Sequence, residues 1–293
     1  MNNLPIKSTL IPSVNYHLWE PCNMRCKFCF ATFQDVKKDI LPKGHLPRAE
    51  SLRLVEVLAA FGFEKITFAG GEPTLCRWLP DLIRAAKSGG MTTCVVTNGS
   101  HLSDNWLDAN RGHLDWLALS IDSLSEETNV EAGRAIAGRR PLPASCYRAL
   151  TESIQDRGYK LKINTVVSKF NYREDLNEFM LTVNPDRWKI LQALKVEGQN
   201  DQHFSAFYVS HEAFSQFISR HRESIQALDA VVESNEAIKG SYLMIDPAGR
   251  FFDNVGDGHF YSSPILERGI DSALEQVRPD MGKFLERGGR YDW

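Results

Sequence analysis

A chain of 293 residues, 43% apolar and 24% charged, carries enough core-forming side chains for one large α/β domain or two smaller ones. Its formal net charge of −3 gives no global attraction to nucleic acid or an anionic membrane, so any polyphosphate site must be a local cluster of cations. No apolar run nears the roughly 20 residues that span a bilayer, and the opening MNNLPIKSTLIPS lacks a signal-peptide core, so a cytoplasmic protein with reduced cysteines and no membrane anchor is expected.

Residues 14–19 read as a strand that delivers a cysteine-rich loop. After a linker at 41–47, Leu52, Val55 and Leu58 recur at helical spacing within 48–61, closed by Gly62. Residues 65–69 form a short strand running into Gly70-Gly71-Glu72-Pro73, and a helix over 79–88 ends at Gly89-Gly90. A strand over 91–97 turns at Asn98-Gly99, with Ser103 placed to cap a short helix. The strand over 116–121 is followed by a polar loop to about Pro143 and a helix over 145–157 stopped by Gly158. A strand over 160–167, a helix over 172–183 and a strand over 187–194 complete six repeats of strand, loop and helix. That alternation requires a parallel sheet with helical crossovers; periodicity does not decide whether the sheet is open or curled. Downstream, a helix near 212–222 and a hairpin of 241–245 with 250–254 read as a cap. Segments 1–195 and 196–293 then form one compact unit.

The loop after the first strand holds Cys22, Cys26 and Cys29 in a Cys-x3-Cys-x2-Cys array. An odd number of thiols this close cannot all be satisfied as disulfides. Three soft ligands from one short loop suit a [4Fe–4S] cluster, leaving one iron without a protein ligand. A Cys3His zinc site completed by His17 is the alternative, although zinc usually draws a second Cys pair from downstream and Cys76, Cys94 and Cys146 are isolated from one another.

Charge inside strands is the second informative feature. Period-two alternation puts Lys160, Lys162 and Asn164 on one face of their strand, and Arg187 with Lys189 on one face of the next. Helix-covered parallel strands are nearly all apolar, so midstrand Lys162 and Lys189 call for an anionic partner or a solvated channel. Solvation at the strand-start rim would account for Lys160 and Lys65. Several cations converging inside a barrel suit a polyphosphate. Taken alone, Gly70-Gly71-Glu72-Pro73 is equally a plain turn, and the segments at Asn98 and Ser120 a turn and a capping loop.

The cysteine array is the signature of the radical S-adenosylmethionine (SAM) superfamily, and the run VNYHLWEPCNMRCKFCFATF (residues 14–33) resembles the viperin family more closely. EKITFAGGEP, NVEAGR, LKIN, NPDRWK and SYL match viperin segments in order. The resemblance implies a partial (β/α)6 barrel of the TIM-like, radical SAM type, with chemistry at the C-terminal strand ends. It implies that Cys22, Cys26 and Cys29 hold a [4Fe–4S] cluster, that Gly70, Gly71 and Glu72 hold the SAM amino group, and that Asn98 and Ser120 meet the SAM ribose and carboxylate. Lys65, Arg134, Lys162, Arg187 and Lys189 correspond to residues that hold a nucleoside triphosphate. Asn15 and Asn164 match ribose- or phosphate-side contacts, and Tyr242 a tyrosine near the sugar that could donate in the last step. The closing FLERGGRYDW resembles the segment that orders over bound nucleotide.

The implied activity is removal of the ribose 4′ hydrogen of CTP, UTP or GTP, a pyrimidine being preferred, with loss of the 3′-hydroxyl. The product would be a 3′-deoxy-3′,4′-didehydro nucleotide, an antiviral chain terminator. A flavodoxin or ferredoxin system would deliver the electrons, and no direct nucleic-acid binding is expected. The competing readings are another radical SAM reaction, GTP-cyclising or peptide-modifying, and a metal-stabilised nucleotide-binding protein. Relatives of the first kind often carry a second cysteine cluster, and no cysteine follows Cys146.

Overall fold

Alternation along the strands sets up the architecture. In β1 (Ser13–His17), β2 (Lys65–Ala69), β3 (Thr92–Thr97), β4 (Trp116–Ser120), β5 (Lys160–Val167) and β6 (Arg187–Gln192), one face is apolar. Tyr16, Phe68, Leu117, Ile163 and Trp188 on that face are fully buried in the core, each side chain contributing about 1.5–3 kcal/mol by leaving water. The computed structural model describes residues 10–293. Most of the opening segment in which a leader was looked for lies outside the described residues.

The crossovers are α1 (Arg48–Phe61), α2 (Leu79–Ser88), α3 (Asp104–Asn110), α4 (Glu126–Ala132), α5 (Ala144–Asp156) and α6 (Asn177–Val183). Two differ from expectation. The stretch expected to be a polar loop contains α4, whose seven residues show no apolar period; its signals are the Ser125 cap, which accepts from the Thr128 amide, and Gly133 at its end. Helix α6 begins five residues later than expected, because Asn171 and Asp175 hydrogen-bond the backbone of Ser168 and Asn177 and hold the chain in turns.

Beyond β6 the chain returns to the sheet at both edges. Strand β7 (Val231–Glu233) pairs parallel to β6, and β8 (Met244–Ile245) pairs parallel to β1, followed by antiparallel β9 (Arg250–Asp253) and β10 (Phe260–Pro264). The order is β10-β9-β8-β1-β2-β3-β4-β5-β6-β7. The expected hairpin around Pro247-Ala248-Gly249 is present, while β7 and β10 escaped the sequence reading.

The sheet is curled. Six strand spacings separate β8 from β6, about 29 Å on a flat sheet. Yet Tyr242, just ahead of β8, meets Lys189 of β6 at 2.5 Å. Glu197, past β6, also bridges to Gly258 in the β9–β10 connection. Among the described residues β7 and β10 do not pair with each other, so the barrel is partial, as expected.

Candidate active site

The inner face of the curl is polar and surrounds a cavity of about 560 Å³, a volume ordinary for small-molecule sites. Every candidate residue named from the sequence lines it. They divide between two ends.

At the C-terminal strand tips lie Cys22, Cys26 and Cys29, free and partly buried. Their loop is gripped from two sides. The amides of Arg25 and Lys27 donate to the carbonyls of Gly133 (3.1 Å) and Ala132 (2.9 Å) at the end of α4. Gly133 has φ +81°, and a Cβ there would overlap the Arg25 carbonyl oxygen. On the other side the Gly71 amide donates to the Trp19 carbonyl, and a Cβ on Gly71 would overlap the Glu20 and Pro21 carbonyls. The Gly-Gly turn is therefore a close-approach site for the cysteine loop.

Burial, with the other thiols adding to it, pushes Cys22 up to about 11 and Cys26 up to about 12. The Met24 amide donates to the Cys22 Sγ at 3.4 Å. Among the described residues no three His, Cys, Asp or Glu converge on a point that one ion could occupy. His17 sits instead among the rings of Phe30, Phe33 and Phe252. Three thiols on one wall, not focused on an ion, fit a metal–sulfur cluster better than zinc.

Beside the thiols, Glu72 is 1% exposed. Its Oε1 accepts from the Thr74 amide (3.1 Å) and from the hydroxyls of Thr74 and Thr97 (2.6 Å each), and its Oε2 accepts from the Asn98 amide (2.8 Å). One acceptor direction on Oε2 is left for a ligand ammonium. The Asn98 side chain is committed to a ring of contacts with Ser100 and Asn23, which ties the cysteine loop to the tip of β3. Arg134 forms a buried ion pair with Asp122, donates to the Ser120 carbonyl at 3.5 Å and lies over Phe28 at 5.6 Å. The structure thus sets Arg134 beside the cysteine loop, apart from the other basic candidates, because Asp122 holds it there. Burial opposes its charge, but Asp122 raises the guanidinium above its ordinary value.

The remaining cations gather at the strand starts. Lys65 opens β2 and Arg187 opens β6; the parallel register sets Lys162 opposite Arg187 and Asn164 opposite Lys189. Burial, opposed by Cys94 and joined by Lys162, Arg187 and Arg287, pushes the Lys65 ammonium down to about 7. Lys162 and Lys189 are lowered too, chiefly by burial. The solvated-rim explanation holds for Lys160, which is exposed and paired with Asp186 at 3.1 Å, and not for Lys65, which is 4% exposed.

The chain's last residues cover this end. Lys65 donates to the Tyr291 hydroxyl and lies 4.2 Å from that ring and 4.9 Å from the ring of Trp293. Arg187 donates to the Gly288 carbonyl at 2.5 Å and stacks on Tyr291 at 3.8 Å. The helix Met281–Glu286 delivers Arg287 over the Tyr242 ring at 3.7 Å. The Tyr242 hydroxyl donates to Glu233 Oε2 and accepts from Lys189 Nζ, both at 2.5 Å. Four site residues escaped the sequence reading: Arg287, Glu233, Asp122 and Asn23. Arg287 lay in a segment read only as a closure, and Glu233 in a strand of three residues.

Residues 18–183 match the Radical SAM superfamily. The chain is 56% identical over 283 residues to the S-adenosylmethionine-dependent nucleotide dehydratase of Lacinutrix mariniflava, covering 97% of this chain and 59% of that one. It is 49% identical over 293 residues to the protein of the same name from Flammeovirga pacifica, with both chains covered completely. Of solved structures, native anSMEcpe with bound AdoMet has the same fold, with a TM-score of 0.66 at 13% identity over 94% of this chain and 82% of that one. The expected fold class and enzyme class are borne out, and so is the pairing of a [4Fe–4S] cluster with SAM that the superfamily uses. The chain belongs to the radical SAM superfamily and, within it, to the S-adenosylmethionine-dependent nucleotide dehydratases.

Proposed function

We propose that this enzyme converts a nucleoside triphosphate, CTP, UTP or GTP, to its 3′-deoxy-3′,4′-didehydro analogue. The observation that carries the reading is the two-ended cavity: thiols at the strand tips, and Lys65, Lys162, Arg187 and Lys189 towards the strand starts, joined there by Arg287 from the C-terminal segment. Gly70 lies five positions along the chain from Lys65, which opens β2, about 17 Å of strand, room for a polyphosphate and a ribose end to end. When bound at Cys22, Cys26 and Cys29, the cluster with SAM supplies a 5′-deoxyadenosyl radical, the hydrogen-abstracting agent. Loss of the 4′ hydrogen and the 3′-hydroxyl, with one electron and one proton added and water released, balances the conversion.

The chain's own part is binding and orientation. The arginines offer bidentate forks and the lysines point charges to phosphate oxygens. Asn164 Oδ1 is buried without a protein partner and, with Asn15 across the cavity wall, suits ribose hydroxyls. Glu72 with the Gly70-Gly71 turn would receive the SAM ammonium, with Ser120 beside it. Tyr242 presents a phenol at the boundary between cations and sugar. Residues 196–293 act as the closing element, bringing Tyr291 and Arg287 over the polyphosphate and excluding water from a radical. A one-electron carrier of flavodoxin or ferredoxin type would be the reductant, and the cytoplasm the location; among the described residues no helix is long and apolar enough to cross a membrane.

The test is anaerobic. The reconstituted protein with SAM and a strong reductant is given CTP, UTP, GTP or ATP separately, and products are weighed by mass spectrometry. Formation of 5′-deoxyadenosine that depends on one nucleotide, with a product lighter by one water, is expected. Release of 5′-deoxyadenosine indifferent to all four would sink the reading.

A further inference from the structure

A carboxylate buried directly behind the cations of an anion-binding end works against the anion. Glu233, fully buried as the last residue of β7, is such a group. It forms an ion pair with Lys189, accepts the Tyr242 hydroxyl at 2.5 Å and lies 3.5 Å from Arg287. We propose that Glu233 is a positioning residue for nucleotide binding: a built-in counter-anion that keeps Lys189 an ammonium and Tyr242 aimed in the empty pocket, and that yields Lys189 to the incoming polyphosphate. This rests on the polyphosphate reading of the cation end.

The surroundings explain why such a group is needed. Lys189 faces Lys162 from β5 and Arg287 from the C-terminal segment, with Arg187 on its own strand and Tyr242 beyond. Burial pushes its ammonium well down, Glu233 opposes this as the next largest influence, and Arg287 and Lys162 add to the lowering. Glu233 is itself held below the ordinary carboxylate range by Lys189 and Arg287 despite its burial. Without Glu233 the Lys189 ammonium would lie lower still, and more of it would be neutral when phosphate arrives. Yet Glu233 also repels the phosphate. The balance of these two effects depends on pH, and that dependence separates positioning from a merely structural role.

The experiment measures binding of inorganic triphosphate to cluster-loaded protein by calorimetry. Acid protonates Lys189 whatever its partner, so towards the low end of the range, at about pH 6.5, the E233Q deficit should be smallest, with binding approaching or exceeding that of wild type. At about pH 8.5 E233Q should bind at least about fivefold more weakly, since one linked proton can change affinity up to about tenfold per pH unit. A ratio of the two dissociation constants that stays constant with pH would overturn the proposal. A second comparison does not need the E233Q single variant to fold. In a K189M background the lysine-linked effect is gone while Glu233 still faces Arg287 and Tyr242, so the ratio of the triphosphate dissociation constants of K189M/E233Q and K189M should stay constant, within about twofold, between about pH 6.5 and 8.5. A ratio that climbs about fivefold or more with pH there as well would also overturn it. Failure of the wild type to bind triphosphate at either pH removes the polyphosphate reading beneath it.

Discussion

Lys65 occupies the first position of β2 under the rings of Trp116, Tyr291 and Trp293, and among the described residues no carboxylate pairs with it. A lysine so placed is costly to keep charged, which is why burial and its cationic neighbours bring it down to about 7. A phosphate binds the ammonium form and raises that value in the complex, so the sign is fixed. Nucleotide affinity should be greatest below pH 7 and should fall as pH rises through about 7, by up to about tenfold per unit. In Lys65→Gln that part of the slope should vanish, with weaker binding at low pH. An identical pH profile in the variant, measured by titration calorimetry, would remove Lys65 from the clamp. Lys162 and Lys189 were legible as site residues in the sequence because a charge in midstrand contradicts an otherwise apolar pattern. Glu233 and Arg287 were not, because their partnership with Lys189 and Tyr242 exists only once the sheet has curled.

Helix α4 shows what a short element contributes. Its C-terminal carbonyls at Ala132 and Gly133 hold the backbone between Cys22 and Cys29, and nothing about its seven residues is periodic enough to announce it. Gly133→Ala combines a left-handed φ with overlap of the Arg25 carbonyl. It should cost about 1–3 kcal/mol and displace the cysteine loop. Iron and sulfide bound per chain after reconstitution should fall well below wild type, whereas full loading would show that α4 does not hold the loop. By contrast β2, β5, α1 and α2 lie within the bounds expected from sequence, since glycine pairs and turn residues mark their ends.

The C-terminal segment is a second such element. Removing residues 288–293 uncovers Lys65 and Arg187. The midpoint of the pH-dependent binding should then move up from about 7 toward the ordinary lysine range, and bound nucleotide should dissociate faster, about tenfold. Stopped-flow release of a fluorescent nucleotide reads the second effect; an unchanged rate and midpoint would mean that the segment does not close over the site.

At the scale of the whole molecule, the curl of the sheet is the decisive feature. Parallel strands bring cation-bearing starts to one end and cysteine-bearing tips to the other, and the returning strands β7 and β8 carry Glu233 and Tyr242 against Lys189. On the proposed reading a nucleotide anchored by its phosphates would present its sugar toward the thiol end, and this orientation is the central claim. It is tested most directly with a 4′-deuterated nucleoside triphosphate, given to the reconstituted enzyme with SAM and reductant. Deuterium should appear in 5′-deoxyadenosine, with a product lighter than the substrate by the lost label and the hydroxyl. Unlabelled 5′-deoxyadenosine beside a returned, fully labelled nucleotide would contradict it.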